Sequence, residues 1–296
     1  MKWPKRIFLF ILTNMLVMLT ISIAVNLILP LLGFRVMPGQ LSGLLVLCLI
    51  WGMGGSLVSL LISRWMAKKM MGIQLIDPNT SDPRMRDLLM MVHNLAQTAG
   101  LESMPEVGVY ESAEPNAFAT GPSRSRALVA VSTGLFNTMT RDEIEGVLGH
   151  EITHIVNGDM VTMTLIQGVV NAFVMFFARI LANLISSQVD ERARGAVYFG
   201  LAILFDIVFG ILGSIVVAYF SRIREYRADL GGANYAGRDK MIAGLRRLQS
   251  MYDVTPADNR PLAALKISNR PAGLMAFFST HPPLEDRIKR LQEAQI

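Results

Sequence analysis

The sequence predicts an α-rich integral membrane protein with four transmembrane helices and a polar α+β part that carries a small antiparallel sheet. Three observations predict it. Of 296 residues, 52% are hydrophobic and 17% charged, against about 25% charged in soluble domains. The charges are unevenly spread: the 57 residues from Ile7 to Ser63 contain a single charged side chain, Arg35. And four apolar runs reach the ~20 residues that cross a bilayer: Ile7–Leu32, Leu41–Ser63, Leu165–Ser187 and Ala196–Phe220.

The first run follows Lys2, Lys5 and Arg6 as a signal peptide would. Its apolar stretch is too long for a signal core and a second span follows at once, so it reads as an uncleaved anchor. Lys2, Lys5, Arg6, Arg64, Lys68, Lys69, Arg222, Arg224 and Arg227 fall on one side of the spans. Arg35, Arg192 and Arg194 fall on the other. Positive charge collects on the cytoplasmic side, which places both termini and residues 64–164 in the cytoplasm. The second hairpin holds Arg179 and Asp206 inside its apolar runs. Such groups are costly in lipid, so the two are expected to pair or to face protein. The resulting division is 1–64, an N-terminal hairpin; 65–164, a cytoplasmic part; 165–220, a second hairpin; and 221–296, a second cytoplasmic part.

Composition also excludes. The hydrophobicity is too high for a disordered chain. Cys48 is the one cysteine, so neither a disulfide nor a Cys-based zinc site can form. A net charge of +5 does not signal nucleic acid here, because the basic residues flank apolar runs.

The polar region opens at Ser81-Asp82-Pro83, an N-cap followed by proline at the first helical position. Met85, Leu88, Leu89, Val92, Leu95, Ala96 and Ala99 follow at helical spacing, and Gly100 is a natural stop. His93 lies off that apolar face and reads as a surface residue. Val107–Glu111, Ala117–Thr120 and Ala127–Ser132 read as short strands. Thr140-Arg141-Asp142-Glu143 is a capping box that opens a helix with Ile144, Val147, Leu148, Ile152 and Ile155 on its apolar side.

That helix carries His150-Glu151-Ile152-Thr153-His154. Residues four apart share a helix face, so both imidazoles can grip one metal ion. Glu151 is turned away from the metal yet close enough to take a proton from a water beside it. Such an ion lowers the pKa of water and polarises a carbonyl, which is the chemistry of hydrolysis. The pattern also arises by chance, but here it sits on a capped, amphipathic helix. A third ligand is needed to leave one position open. Asn157 and Met160 stand where one metalloprotease group continues with Gly and His. A carboxylate on another helix is therefore expected. Glu225 in Arg224-Glu225-Tyr226-Arg227-Ala228-Asp229 is the candidate, with Asp229 on the same face to hydrogen-bond a ligand histidine. The competing reading is a solvated helix whose acids balance Arg222, Arg224 and Arg227. Two apolar runs separate the histidines from Glu225, an even number that returns the chain to the same side.

Over essentially its whole length the chain resembles the HtpX membrane metalloproteases, relatives of the type I CAAX prenyl endopeptidases. The resemblance rests on the two N-terminal spans, Asn116-Ala117-Phe118-Ala119-Thr120-Gly121, His150-Glu151-Ile152-Thr153-His154, the hairpin, Glu225-Tyr226-Arg227-Ala228-Asp229, and Ser279-Thr280-His281-Pro282-Pro283. It implies a gluzincin-like metalloprotease domain and a zinc-dependent endopeptidase of the bacterial inner membrane, active on the cytoplasmic side. It also implies quality control of misfolded or damaged membrane proteins as stress-response work, with polypeptide substrates, the lipid bilayer as surroundings and no nucleic acid. One zinc ion per chain would be held by His150, His154 and Glu225, with Glu151 as general base.

The resemblance points to His281 and Arg287 as groups that stabilise the oxyanion. Locally, His281 is also just the residue before Pro282 and Pro283 at a helix start, and Arg287 could pair with Glu285 or Asp286 at the surface. Asn116, Ala117 and Phe118 would form a substrate-docking edge strand, small enough for an extended peptide to add by backbone pairing; an ordinary internal strand is the competing reading. Asp253–Pro271 reads as a loop rich in Pro and Asn, followed by Leu274, Met275, Phe277 and Phe278, which read as core or as a specificity pocket. Two other functions compete: a prenyl-protein endopeptidase, whose chamber needs more spans than four, and a silent membrane scaffold or metal sensor, which has little need of Glu151.

Overall fold

The computed structural model describes residues 41–253 and 278–295. The first apolar run, most of the 253–271 loop and Leu274, Met275 and Phe277 lie outside them. The described residues fall into two compact units, one of residues 41–59 and 164–217, the other of residues 60–163, 218–253 and 278–295.

In the first unit lie the apolar parts of three helices: α1 (Leu41–Met71), α5 (Asp159–Ser186) and α6 (Glu191–Ala236). Among the described residues these three are long and apolar enough to cross a membrane. Arg179 donates to Asp206 Oδ2 at 2.8 Å, the pairing expected of two ionisable groups inside apolar runs. Helix α6 has 46 residues, about 69 Å at 1.5 Å per residue, while a bilayer core takes about 30 Å. Its apolar window is the Ala196–Phe220 run. From Ala218 onward the helix belongs to the second unit, and from Ser221 it carries the polar sequence of the site.

The second unit contains α2 (Pro83–Thr98), the short α3 (Thr133–Thr138), α4 (Arg141–Asn157), α7 (Arg238–Asp253) and α8 (Leu284–Glu293) around a four-stranded sheet. Asp82 caps α2 by accepting from Arg84 N–H at 2.8 Å. The capping box of α4 forms in both directions between Thr140 and Glu143. The strands are β1 (Gln74–Leu75), β2 (Glu106–Tyr110), β3 (Ala117–Thr120) and β4 (Leu128–Ser132), in the order β1-β2-β4-β3.

The sheet is mixed, which corrects the antiparallel sheet read from the sequence: β2 and β4 are parallel, while β1–β2 and β3–β4 are antiparallel. The reason is burial. All five residues of β4 are buried, so it takes an inner position between β2 and β3. Strand β3 has no fully buried residue and takes the edge. Once β3 turns back on β4 as an antiparallel pair, β4 runs in the direction of β2.

Alternation along the strands splits the core. Val107, Val129 and Val131 face α2 and α4, joining Leu88, Val92, Leu95, Leu148, Ile152 and Ile155. Leu128, Ala130 and Tyr110 face the other way, with Ile73 and Phe118. Ala117 and Ala119 pack on the α4 side, so their small side chains let the edge strand lie close to that helix.

Candidate metal centre

Helix α4 brings His150 and His154 onto one face, and both are buried. Their Nε2 atoms approach to 3.0 Å. Glu225, fully buried on α6, places Oε2 3.3 Å from His150 Nε2 and Oε1 3.6 Å from His154 Nε2. Among the described residues these three form the one group of ligand atoms close enough to hold a single ion. The approach of α6 to α4 depends on Gly232: a Cβ there would meet His150 N at 2.8 Å and the Gly149 carbonyl carbon at 3.2 Å.

Each histidine has an acid behind it. Asp229 Oδ1 lies 2.9 Å from His150 Nδ1, the place expected for it one turn beyond Glu225. Asp159 Oδ2 lies 2.6 Å from His154 Nδ1. The sequence reading missed Asp159. Its signal was Gly158, whose φ of 68° ends α4 in a left-handed cap and turns the chain so that α5 begins on Asp159, beside His154. These bonds leave both Nε2 atoms facing Glu225 and fix each ring's orientation.

Arg287 is also buried. It donates through Nε and Nη2 to both oxygens of Asp229, at 2.8 and 2.6 Å, and Nη2 lies 3.4 Å from His150 Nδ1. Neither Glu285 nor Asp286 is its partner. It stands behind His150, tying α8 to α6. His281 lies just before α8, with Nδ1 2.9 Å from Glu225 Oε2. That approach lacks the alignment of a hydrogen bond, and both atoms are buried without a hydrogen-bond partner. His93 takes no part: its Nε2 sits 3.3 Å from the Pro105 carbonyl oxygen.

Electrostatics sharpen the picture. Burial pushes the Glu225 carboxyl upward, but the close approach of His150 and His281 outweighs it and holds it well below the usual carboxylate range. Burial raises Asp229 too, and Arg287 outweighs it, bringing the carboxyl down to about 2. Burial lowers His150, yet Asp229 and Glu225 outweigh it and raise the imidazolium to about 9. Two acids thus compete to place positive charge at His150.

The residues fit a metal ion. Tetrahedral coordination with bonds of ~2.0–2.1 Å sets ligand atoms about 3.3 Å apart; the two Nε2 atoms are 3.0 Å apart, and the Glu225 carboxylate offers Oε2 at 3.3 Å from one and Oε1 at 3.6 Å from the other. The orphaned Glu225 Oε2 is what a cation would satisfy. Two imidazoles and one carboxylate are a donor set that suits zinc.

Glu151 follows His150 on α4. Its Oε2 accepts from Ala119 N–H at 2.9 Å, joining the candidate base to the edge strand. A cavity of about 290 Å³ opens here. Asn116, Ala117 and Phe118 line it, together with His150, Glu151, His154, Glu225, His281 and Arg287. The metal-ligand, base, oxyanion and edge-strand candidates from the sequence therefore meet in one place, with Asp229 behind His150. The cavity also has a wall that sequence reasoning did not supply, Met241, Leu245 and Leu248 of α7, and a cation, Arg224.

A buried pair of helix-borne histidines, a glutamate between them and a distant carboxylate, on a chain with helices long and apolar enough to cross a membrane, define a membrane metalloendopeptidase. Residues 83–295 match peptidase family M48. The chain belongs to that family. It is 51% identical over 295 residues to a protease HtpX homolog of Bacillus licheniformis, covering 97% of this chain and 99% of that one. It is 50% identical over 296 residues to the protease HtpX of Shewanella denitrificans, covering 98% and 100%. Among solved structures it is similar to S. mikatae Ste24p, with a TM-score of 0.63 and 19% identity over 95% of this chain and 65% of that longer one, a likeness of fold.

Proposed function

We propose that this chain is a zinc endopeptidase of the bacterial inner membrane that cuts misfolded or damaged membrane proteins at the cytoplasmic face. The observation that carries the reading is the meeting of His150, His154 and Glu225 beside Glu151, in a cavity bordered by an edge strand. The proposed division is an N-terminal hairpin (1–64), a second hairpin (165–220) and a protease domain assembled from 65–164 and 221–296, with four crossings and both termini in the cytoplasm. The Lys and Arg asymmetry supports it.

His150, His154 and Glu225 would hold one zinc ion per chain, with Asp229 and Asp159 orienting the rings. When bound, the ion acidifies water and polarises the substrate carbonyl. An extended peptide adds to β3 through the outward backbone groups of Ala117 and Ala119, with Asn116 and Phe118 beside it. The register turns those groups outward, since Asn116 bonds back to Ser132 on β4 and alternate residues face away from it; Ala117 N–H and C=O and the Ala119 C=O can pair with the peptide, while Ala119 N–H is held by Glu151. Glu151 takes a proton from the attacking water and passes it to the leaving amine. Ala119 N–H holds Glu151 Oε2, which leaves Oε1 for that proton. His281 is placed to steady negative charge on the substrate, and Arg287 serves the site by keeping Asp229 ionised behind His150.

The test pairs wild type with Glu151→Gln, each purified in detergent, supplied with zinc and given an unfolded membrane-protein substrate. Wild type cleaves it. The variant keeps about one zinc and does not. Equal behaviour of the two would sink the proposal, and cleavage confined to prenylated peptides would move the substrate class.

A further inference from the structure

Three arginines precede or follow Glu225 on α6, and they differ in environment. Arg227 is exposed. Arg222 donates to the Ser279 carbonyl at 2.7 Å. Arg224 turns into the cavity. Adjacent residues on a helix point about 100° apart and do not ordinarily meet, yet Arg224 Nη2 donates to Glu225 Oε1 at 3.0 Å. Its side chain folds across the helix toward the site, and its Nε is buried with no acceptor. A guanidinium has five N–H donors, so an unmet donor inside a cavity calls for an oxygen that arrives with a ligand.

Arg287, Asp159 and Glu151, which also line the cavity, are already engaged. Arg287 gives two donors to Asp229 and is only 4% exposed. Asp159 is taken by His154, and Glu151 Oε2 by Ala119 N–H. The cavity walls include the apolar Val147, Met160, Met241, Leu245 and Leu248, and a charge-assisted hydrogen bond is stronger in such surroundings than in water. Arg224 is therefore the cavity's arginine with a donor to spare, and it touches the carboxylate that would bind the metal.

We propose that Arg224 is a catalytic residue: it donates a hydrogen bond to the carbonyl oxygen of the scissile peptide bond as that oxygen becomes an oxyanion. The inference rests on the endopeptidase reading above and adds a residue to it. The same guanidinium chemistry would also take a side-chain carboxylate of the substrate, and the experiment separates the two sources.

Wild type, Arg224→Gln, Arg224→Lys and Glu151→Gln are compared as zinc-loaded proteins in detergent. Zinc content, kcat and KM are measured on a peptide carrying Glu beside the cleaved bond and on its Gln counterpart. Binding of a phosphinic peptide, a tetrahedral mimic with an anionic oxygen, is measured by displacement of a fluorescent ligand. Loss of an oxyanion donor costs on the order of 10²-fold in kcat. Arg224→Gln is expected to lose about that factor in kcat on both peptides and a comparable factor in phosphinic affinity. Its KM and zinc content stay close to wild type, and Arg224→Lys recovers part of the loss. A loss confined to the Glu peptide and seen in KM would overturn the carbonyl assignment in favour of a side-chain carboxylate. Unchanged kcat and phosphinic affinity, or a loss that only follows loss of zinc, would show Arg224 to be a counter-charge for Glu225 and overturn the proposal. If Glu151→Gln matched wild type, the endopeptidase reading itself would fail, which is a separate result.

Discussion

Removing the Arg287 guanidinium is the sharpest test of how the site is supported. Asp229 is 2% exposed and has two partners, Arg287 through both oxygens and His150 through one. Arg287→Met keeps much of the side-chain volume and removes the charge, so it leaves a buried carboxylate with one partner. Breaking a buried pair this way costs about 3–5 kcal/mol. An independent order of magnitude follows from Asp229 itself. Its carboxyl stands at about 2 against an ordinary 3.8, which at about 1.4 kcal/mol per pH unit is about 2.5 kcal/mol. Because this pKa is depressed, the stabilisation is present at neutral pH and fades as pH falls from 3.8 through about 2.

At about 2–4 °C per kcal/mol for a domain of this size, the melting temperature of Arg287→Met should fall on the order of 10 °C. Circular dichroism of detergent-solubilised, chelator-treated protein at neutral pH reads it. Leu284, Ile288 and Leu291 still anchor α8 in the core, so the helix content of the cold protein should not change. The double variant Arg287→Met/Asp229→Asn removes the unpaired charge and should recover more than half of the loss. A single variant within about 2 °C of wild type, or a double variant no more stable than the single, would refute the buried-pair reasoning.

Three further outcomes are expected. Since Asp229 and Glu225 raise the His150 imidazolium to about 9 despite burial, a proton must leave before the ring binds zinc. Affinity should then rise about tenfold per pH unit toward about 9, and chelator competition from pH 6 to 8.5 checks this after correcting for the chelator; a flat profile would contradict it. Asp159→Asn should weaken zinc binding about 10–100-fold with little change in fold, seen by the same titration. Gly232→Ala puts a methyl 2.8 Å from His150 N, so α6 must retreat from α4. A cost of about 1–3 kcal/mol and weaker zinc binding should appear together in melting and titration, and a loss of stability without loss of affinity would argue against this spacing role.

Much of the site was legible because its chemistry is local. His150 and His154 lie one turn apart on a helix whose cap and apolar face are written in nearby residues. Glu225 and Asp229 repeat that spacing on α6. The apolar runs were legible because about 20 apolar residues have few other fates. The mixed sheet was not, because strand order is settled by which strand can be buried on every side. That comparison between β3 and β4 appears only when both are packed. Asp159 was missed because its role depends on a left-handed turn at Gly158. The partner of Arg287 was missed because Asp229 is 58 residues away along the chain. No period links such a pair, and the nearer Glu285 and Asp286 were the obvious candidates. Arg224 looked like one of three equivalent surface charges until its direction was known.

Zinc K-edge X-ray absorption of the purified protein, with metal counted in the same sample, tests the central claim most directly. The account predicts about one zinc per chain with two imidazoles and oxygen ligands at ~2.0–2.2 Å. Glu151→Gln should keep that spectrum while losing cleavage, and Glu225→Gln should lose metal. A sulfur ligand, an imidazole count other than two, or full zinc occupancy in Glu225→Gln would contradict the assignment of His150, His154 and Glu225.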